Sequence, residues 1–146
     1  MKIARRLTLA ALACASTMAL AQQPAAAPQA APYLGSVPTL NRAQIDALLA
    51  RPDKLLIIDV RRPDEVATIG GFPVYLNIQA KDIERHSAFI PRERTIVTVS
   101  NHAGRALRAA DVLLAKGFKV AGAIGAQNYE KDGGALTITV KPPARP

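Results

Sequence analysis

The sequence has no tryptophan and only one cysteine, Cys14, which lies within the first 21 of its 146 residues. If that segment is removed, the remaining chain contains no thiol. Disulfide bonds, thiolate nucleophiles and cysteine metal sites are then excluded by composition. Aromatic residues make up only 4% of the chain and basic residues are scattered along it. We therefore expect no nucleic-acid partner, because such surfaces combine clustered basic residues with aromatic ones.

The N-terminal segment has the pattern of a secretory signal peptide. Residues 2–6 carry three basic side chains, residues 7–18 are apolar, and residues 19–21 read Ala-Leu-Ala. This order predicts cleavage after Ala21 and export to the periplasm. The apolar run is too short for a comfortable membrane span, so we expect no stable membrane insertion after cleavage. A retained N-terminal anchor is the alternative, and the choice between Sec and Tat export stays open.

The rest of the chain divides into a linker, one domain and a tail. Removal of residues 1–21 takes away three basic and no acidic side chains, so the formal net charge falls from +8 to +5. Residues 22–38 are mostly Ala, Pro and Gln without apolar periodicity, which predicts a flexible linker. Residues 39–140 have the size of a single domain, and residues 141–146 are predicted to be a disordered tail.

Within the domain, apolar runs of strand length alternate with helical patterns. Asn41, followed by Gln44, has the spacing of a capping box at a helix start. The unbroken apolar run from Leu55 to Val60 predicts a strand covered on both faces. Further strands are predicted over residues 74–78, 95–99 and 118–121, an extended stretch over 136–140, helices over 80–85 and 106–116, and a helical turn over 126–131. The alternation predicts an α/β fold with a mostly parallel central sheet flanked by helices.

One strand–loop–helix unit carries the candidate site. The strand over residues 95–99 runs into the loop Ser100-Asn101-His102-Ala103-Gly104-Arg105, and a helix follows at once. A tight loop that opens a helix presents backbone N–H groups together, and the helix dipole adds partial positive charge. Arg105 supplies a permanent cation. Asp59 and Arg61 end another strand in the same register, where ligands of parallel sheets gather, so we take them as supporting residues.

Several segments, in order, resemble the rhodanese-like domains, a family of sulfurtransferase type. Leu56–Arg61, followed by Pro63-Asp64-Glu65, resembles the family's (L/I)IDVR-x-P-x-E segment. Asn77-Ile78 resembles the end of a family strand, and Leu113–Phe118 resembles the LL-x-x-GF ending of the active-loop helix. The match covers residues 39–137. It implies a three-layer rhodanese-like fold with a mostly parallel central sheet.

The departures from the family pattern concern the chemistry. Members that transfer sulfur carry a cysteine at the first loop position, five residues before an arginine. Here Arg105 holds the arginine position and Ser100 holds the cysteine position. Gly71 stands where many members have a histidine, and Tyr129 replaces the usual tryptophan. The six-residue loop has the length that the resemblance associates with sulfur chemistry, whereas the related phosphatases use one residue more.

The serine removes the chemistry that the family performs. Sulfur transfer goes through a persulfide on the loop cysteine, and a serine hydroxyl has no accessible anionic form at neutral pH. We therefore predict no sulfurtransferase activity, no catalytic residue, no cofactor and no metal. The loop from Ser100 to Arg105 is predicted to bind a small anion such as sulfate or thiosulfate.

Two other interpretations stay open. In the first, the domain docks an unknown periplasmic protein and its loop is vestigial. In the second, the chain is a sulfurtransferase-related or hydrolytic enzyme with a divergent mechanism, in which His102 serves Ser100 as a base. That mechanism requires the His102 ring to face the Ser100 hydroxyl. Arg105 is either a cation of the pocket or the structural partner of an acidic residue.

Overall fold

The architecture is a parallel sheet with helices on both faces, which confirms the predicted fold class. The computed structural model describes residues 32–137. Its strands are β1 (Leu55–Asp59), β2 (Leu76–Asn77), β3 (Thr95–Ser100) and β4 (Val120–Gly125), and its α-helices are α1 (Arg42–Leu49), α2 (Pro63–Ile69), α3 (Ile83–His86), α4 (Gly104–Ala115) and α5 (Ala126–Lys131). The strands form one sheet in the order β2-β1-β3-β4, and each neighbouring pair is parallel.

Each face of the sheet is covered by its own apolar cluster. Alternate side chains along a strand point to opposite faces. Ile58 and Ile96 pack with the buried face of α4, including Leu113, in one cluster. Ile57 and Val97 pack in the other cluster with side chains of α1 and α5. This makes three layers, as the resemblance implied.

Helix α1 begins where the capping box predicted. The Gln44 N–H donates to Asn41 Oδ1 over 3.0 Å, and the Asn41 N–H donates to Gln44 Oε1 over 2.9 Å. Ile45 on the inner side of the helix is almost completely buried. The helix ends at Leu49, before Pro52, which cannot continue it.

The edge strand and its following helix differ from the prediction. Strand β2 comprises only Leu76–Asn77 instead of residues 74–78, because only these two residues pair with β1. The single helix predicted over residues 80–85 is divided. A short 3-10 turn over Ala80–Asp82 leads into α3, and a second one, Ser87–Phe89, follows it.

Strand β4 and helix α4 are shifted relative to the prediction. Phe118 was assigned to the strand, but its N–H donates to the Leu113 carbonyl and so completes the end of α4. The strand instead runs from Val120 to Gly125, and a Cβ at Gly122 would lie only 2.6 Å from Leu40 Cγ. Helix α4 begins at Gly104 rather than residue 106, and its Leu114 side chain is 43% exposed.

The chain ends of the domain also depart from the expected boundaries. The linker predicted over residues 22–38 is contradicted at its end, where Val37 is 5% exposed and part of the core. The Tyr33 hydroxyl donates to Asp111 and accepts the Val37 N–H, both over 2.9 Å. These contacts attach the segment to α4.

The extended stretch predicted over residues 136–140 lies only partly within the described residues, which end at 137. Thr137 makes an antiparallel bridge with Gly71. The remainder of that stretch, the predicted tail and the predicted signal peptide lie outside the described residues. Within residues 32–137, no helix has the length and apolar character needed to cross a bilayer.

A buried ion pair lies at the end of β1. Asp59 and Arg61 are both 0% exposed. Arg61 Nε donates to Asp59 Oδ1 over 2.9 Å, Arg61 Nη2 donates to Asp59 Oδ2 over 2.6 Å, and Nη2 also donates to the Gly70 carbonyl over 2.8 Å. The pair therefore connects the end of β1 to the end of α2.

We predict that Asp59→Asn lowers the free energy of unfolding by about 3–5 kcal/mol, because it leaves a buried guanidinium without its counter-charge. Urea unfolding at neutral pH measures the change. Asp53→Asn is the matched control, since the Asp53 side chain is 68% exposed and its removal should leave stability within error. Equal unfolding midpoints for Asp59→Asn and the parent would contradict this role.

Candidate functional site

The candidate loop lies at the carboxyl edge of the sheet. Strand β3 ends at Ser100 and α4 begins at Gly104. Asp59, at the end of β1, is aligned with Val99, so the loop and the predicted supporting residues lie at the same edge. The structure thus brings the predicted site residues together.

The Ser100 side chain is buried and engaged by the protein itself. Ser100 is 1% exposed, and its Oγ accepts the Ala106 N–H over 3.2 Å. That N–H belongs to the first turn of α4, where backbone donors have no partner within the helix. The hydroxyl therefore closes the loop onto the helix.

Arg105 forms an ion pair instead of standing free in the loop. Arg105 Nη1 donates to Glu65 Oε2 over 2.9 Å and Nη2 donates to Glu65 Oε1 over 2.6 Å. The Arg105 hydrogen bonds, with help from the Arg62 N–H and against the effect of burial, lower the pKa of Glu65 to about 2. Glu65 is consequently ionised at neutral pH and compensates the charge of Arg105.

Asn101 connects the loop to three neighbouring elements. Its Nδ2 donates to Glu65 Oε1 over 2.8 Å, and its Oδ1 accepts from Arg61 Nη1 over 3.4 Å. Its carbonyl accepts the Gln127 N–H of α5 over 3.1 Å. The loop is thus held by α2, by the end of β1 and by α5.

Sequence reasoning missed two residues of this arrangement. Glu65 was noted only as part of the P-x-E pattern, yet it contacts both Asn101 and Arg105. The Asn77 side chain donates to the backbone carbonyls of Asp59 and Arg61, both over 2.9 Å, and so fixes the segment after β1. The available indication for Glu65 was its position in the first turn of α2, the helix that follows β1 at the edge of the sheet where the loop lies.

The backbone at the start of α4 is strained and keeps unused donors. Ala103 has φ +66°, and among residues 32–137 it is the only non-glycine residue with positive φ. This conformation costs an L-residue about 1 kcal/mol or more. The N–H groups of His102, Ala103 and Arg105 donate to no group of the described part of the chain. These donors and the α4 dipole are what the loop offers to an anion.

His102 is exposed, and its ring contacts α5. Its Nδ1 lies 3.4 Å from Asn128 Oδ1 on α5. No hydrogen bond joins His102 to Ser100 in the described part of the chain. The same residues contain no group of three or more His, Cys, Asp or Glu side chains placed to hold a metal ion.

Gly71 and Tyr129, the two other positions that depart from the family pattern, make structural contacts. Gly71 exchanges backbone hydrogen bonds with Thr137 over 2.7 and 2.9 Å. The Tyr129 ring lies 5.0 Å from the Phe72 ring between centroids, and its hydroxyl donates to Asp46 over 2.7 Å. Tyr129 therefore combines a core aromatic contact with a link from α5 to α1.

Solved structures with the same fold include rhodanese-like proteins. A rhodanese-related protein from Thermoplasma volcanium superposes with a TM-score of 0.61 at 19% identity, over 69% of this chain and 98% of that one. A rhodanese-like domain protein from Staphylococcus aureus gives 0.57 at 18% identity, over 68% and 97%. A Rhodopseudomonas palustris protein of unknown function, named a "Possible Tyrosine Phosphatase", gives 0.60 at 22% identity, over 69% and 85%.

These likenesses confirm the rhodanese-like fold that the sequence resemblance implied. At these identities they establish the fold and not the reaction. No protein-family model matches the sequence, and no curated protein is similar enough to count as a relative.

We predict that Glu65→Gln destabilises the protein at pH 7 by about 1–2 kcal/mol, because Arg105 loses its charged partner while water screens part of the loss. The low pKa means that ionised Glu65 contributes stability above its ordinary pKa of 4.5, and that this contribution is lost as the pH falls towards about 2. Urea unfolding across that pH range measures it.

Glu130→Gln, a change at an exposed position of α5, is the matched control and should keep the parent's pH dependence. A constant difference between the Glu65→Gln variant and the parent from pH 7 to pH 2 would contradict the ion pair.

Proposed function

We propose that this chain is a non-catalytic rhodanese-like domain protein, whose loop from Ser100 to Arg105 binds a small anion such as sulfate or thiosulfate. The observation that carries the proposal is the state of Ser100. Its hydroxyl stands where the resemblance places the reactive cysteine, and it is buried against the Ala106 N–H. A hydroxyl that is buried and hydrogen-bonded in this way stabilises the conformation of the loop.

The surroundings of Ser100 support the absence of covalent chemistry. A serine becomes a nucleophile only beside a base that takes its proton. The nearby imidazole of His102 contacts Asn128 instead. Hydrolysis by Ser100 would need such a base, whereas sulfur transfer would need a thiolate in place of the hydroxyl.

Anion binding by the loop would depend on its backbone. The N–H groups of His102, Ala103 and Arg105 are unused within residues 32–137, and α4 contributes its positive dipole end. The guanidinium of Arg105 adds little, since Glu65 compensates its charge. Affinity should therefore be weak and should vary little with Arg105.

A protein-interaction role is the second candidate, and the same ion pair favours it. Because Glu65 neutralises Arg105, the loop attracts a free anion only weakly. A protein partner could gain further contacts at the exposed His102. Titration with sulfate separates the two candidates. Saturable shifts of the loop amide resonances support anion binding, and unchanged resonances contradict it and favour partner docking.

We predict that the processed parent protein, which has lost Cys14 with residues 1–21, forms no thiocyanate above background when given thiosulfate and cyanide, because a hydroxyl does not hold sulfane sulfur. Ser100→Cys should produce measurable turnover, since a thiol at that position meets the helix dipole and the loop donors. Thiocyanate formation measured at neutral pH tests both statements.

Ser36→Cys is the matched control, because it adds a thiol at an exposed position outside the loop and should remain inactive. Turnover by the parent would overturn the non-catalytic assignment. An inactive but folded Ser100→Cys variant would show that the loop does not activate a thiol at this position.

Export is a separate part of the proposal, based on residues 1–21. We predict that the full chain expressed in a Gram-negative host is recovered from the periplasm with Gln22 as its first residue. Ala21→Arg removes the small residue at the cleavage point and should block processing. N-terminal sequencing and fractionation measure both. An intact chain in the cytoplasm would contradict export, and an intact membrane-bound chain would favour the anchor alternative.

A further inference from the structure

A cleft lies at the edge of the sheet opposite the loop. Its lining comes from the end of α1, the starts of β1 and β3, and the residue before β4, and its volume is about 340 Å³. The amino ends of parallel strands lie at the edge away from their carboxyl ends, so this cleft and the loop are separate. None of its lining residues belongs to the candidate site.

Three cations from three different elements meet at the cleft. Arg51 follows α1, Lys54 precedes β1, and Lys119 precedes β4. Glu93 is the one carboxylate in the lining. Lys54 lies 3.4 Å from Asp53, but both side chains are more than two-thirds exposed, and such pairs contribute little. The lining therefore has a surplus of positive charge.

The inner part of the cleft is apolar. Leu55 is 8% exposed and Leu48 is partly buried, and both belong to the cluster beneath α1. Within residues 32–137, the side chains of Arg51 and Lys119 make no hydrogen bond or ion pair. They are thus available to a ligand. The volume falls in the range of small-molecule sites, which join an apolar lining to a few placed polar groups.

We propose that this cleft binds a small organic anion with an apolar body. Leu48 and Leu55 receive the apolar part, while Arg51, Lys54 and Lys119 surround the carboxylate or sulfonate. Charge complementarity selects the anionic head, and the leucines require an organic body. Inorganic sulfate would therefore bind this cleft less well. The proposal does not depend on the function of the loop.

The test uses the full chain and naphthoate, with neutral naphthamide as the uncharged isostere. Calorimetric titration and amide chemical shifts should show saturable binding of naphthoate, with shifts at Leu48, Leu55 and Thr95. Arg51→Gln combined with Lys119→Gln should weaken binding roughly tenfold, as expected when two partly screened cations are lost. Naphthamide should bind more weakly than naphthoate.

Lys131→Gln is the matched control, because it removes a positive charge from α5, whose residues do not line the cleft, and it should leave the affinity unchanged. Equal affinity of the parent and the double variant would overturn the proposal. So would a loss of binding free energy in Lys131→Gln equal, per charge removed, to that in the double variant, which would indicate attraction by net charge alone. Binding of the parent only to phosphatidylglycerol vesicles, without naphthoate binding, would also overturn it in favour of a membrane contact.

Discussion

The buried ion pair of Asp59 and Arg61 is the constraint on which the candidate site depends. Both side chains are completely shielded from water. Each charge is therefore compensated only by the other and by the hydrogen bonds around the pair. Arg61 also donates to the carbonyl at the end of α2 and to Asn101 in the loop. From there the contacts continue through Glu65 to Arg105 at the start of α4. The loop conformation follows from this series of bonds.

These contacts explain how the loop keeps its conformation with Ser100 at its first position. The contacts that shape it are made by carboxylates, guanidinium groups and amides, and none of them requires a thiol. The Ser100 hydroxyl accepts a hydrogen bond from the first turn of α4 and so helps to hold the loop against this helix. With its low pKa, Glu65 stays ionised across the neutral range and keeps Arg105 compensated. Any anion held there must rely on backbone donors and the helix dipole.

Local sequence patterns correctly predicted those elements whose bounds are determined by their own residues. The capping box at Asn41, the apolar run of β1 and the bounds of α5 agree with the structure. The start of β4 was misplaced because Phe118 contributes its N–H to the end of α4, a contact that a hydrophobic pattern does not register.

The site was predicted in position but not in its bonding. Residues at the ends of parallel strands must meet at one edge, which placed Asp59 near Ser100. The pairing of Arg105 with Glu65 joins residues 40 positions apart and depends on how α2 packs beside the loop. Val37 was assigned to a linker because its neighbours are Ala- and Pro-rich, while its burial depends on α4.

We propose that this rhodanese-like domain forms no persulfide, and the mass of the protein after contact with a sulfur donor tests that proposal most directly. The processed chain, incubated with thiosulfate and freed from excess reagent, is measured intact by mass spectrometry. We expect a mass identical to that of the untreated chain. A stoichiometric gain of one sulfur atom, removed by cyanide, would contradict the account.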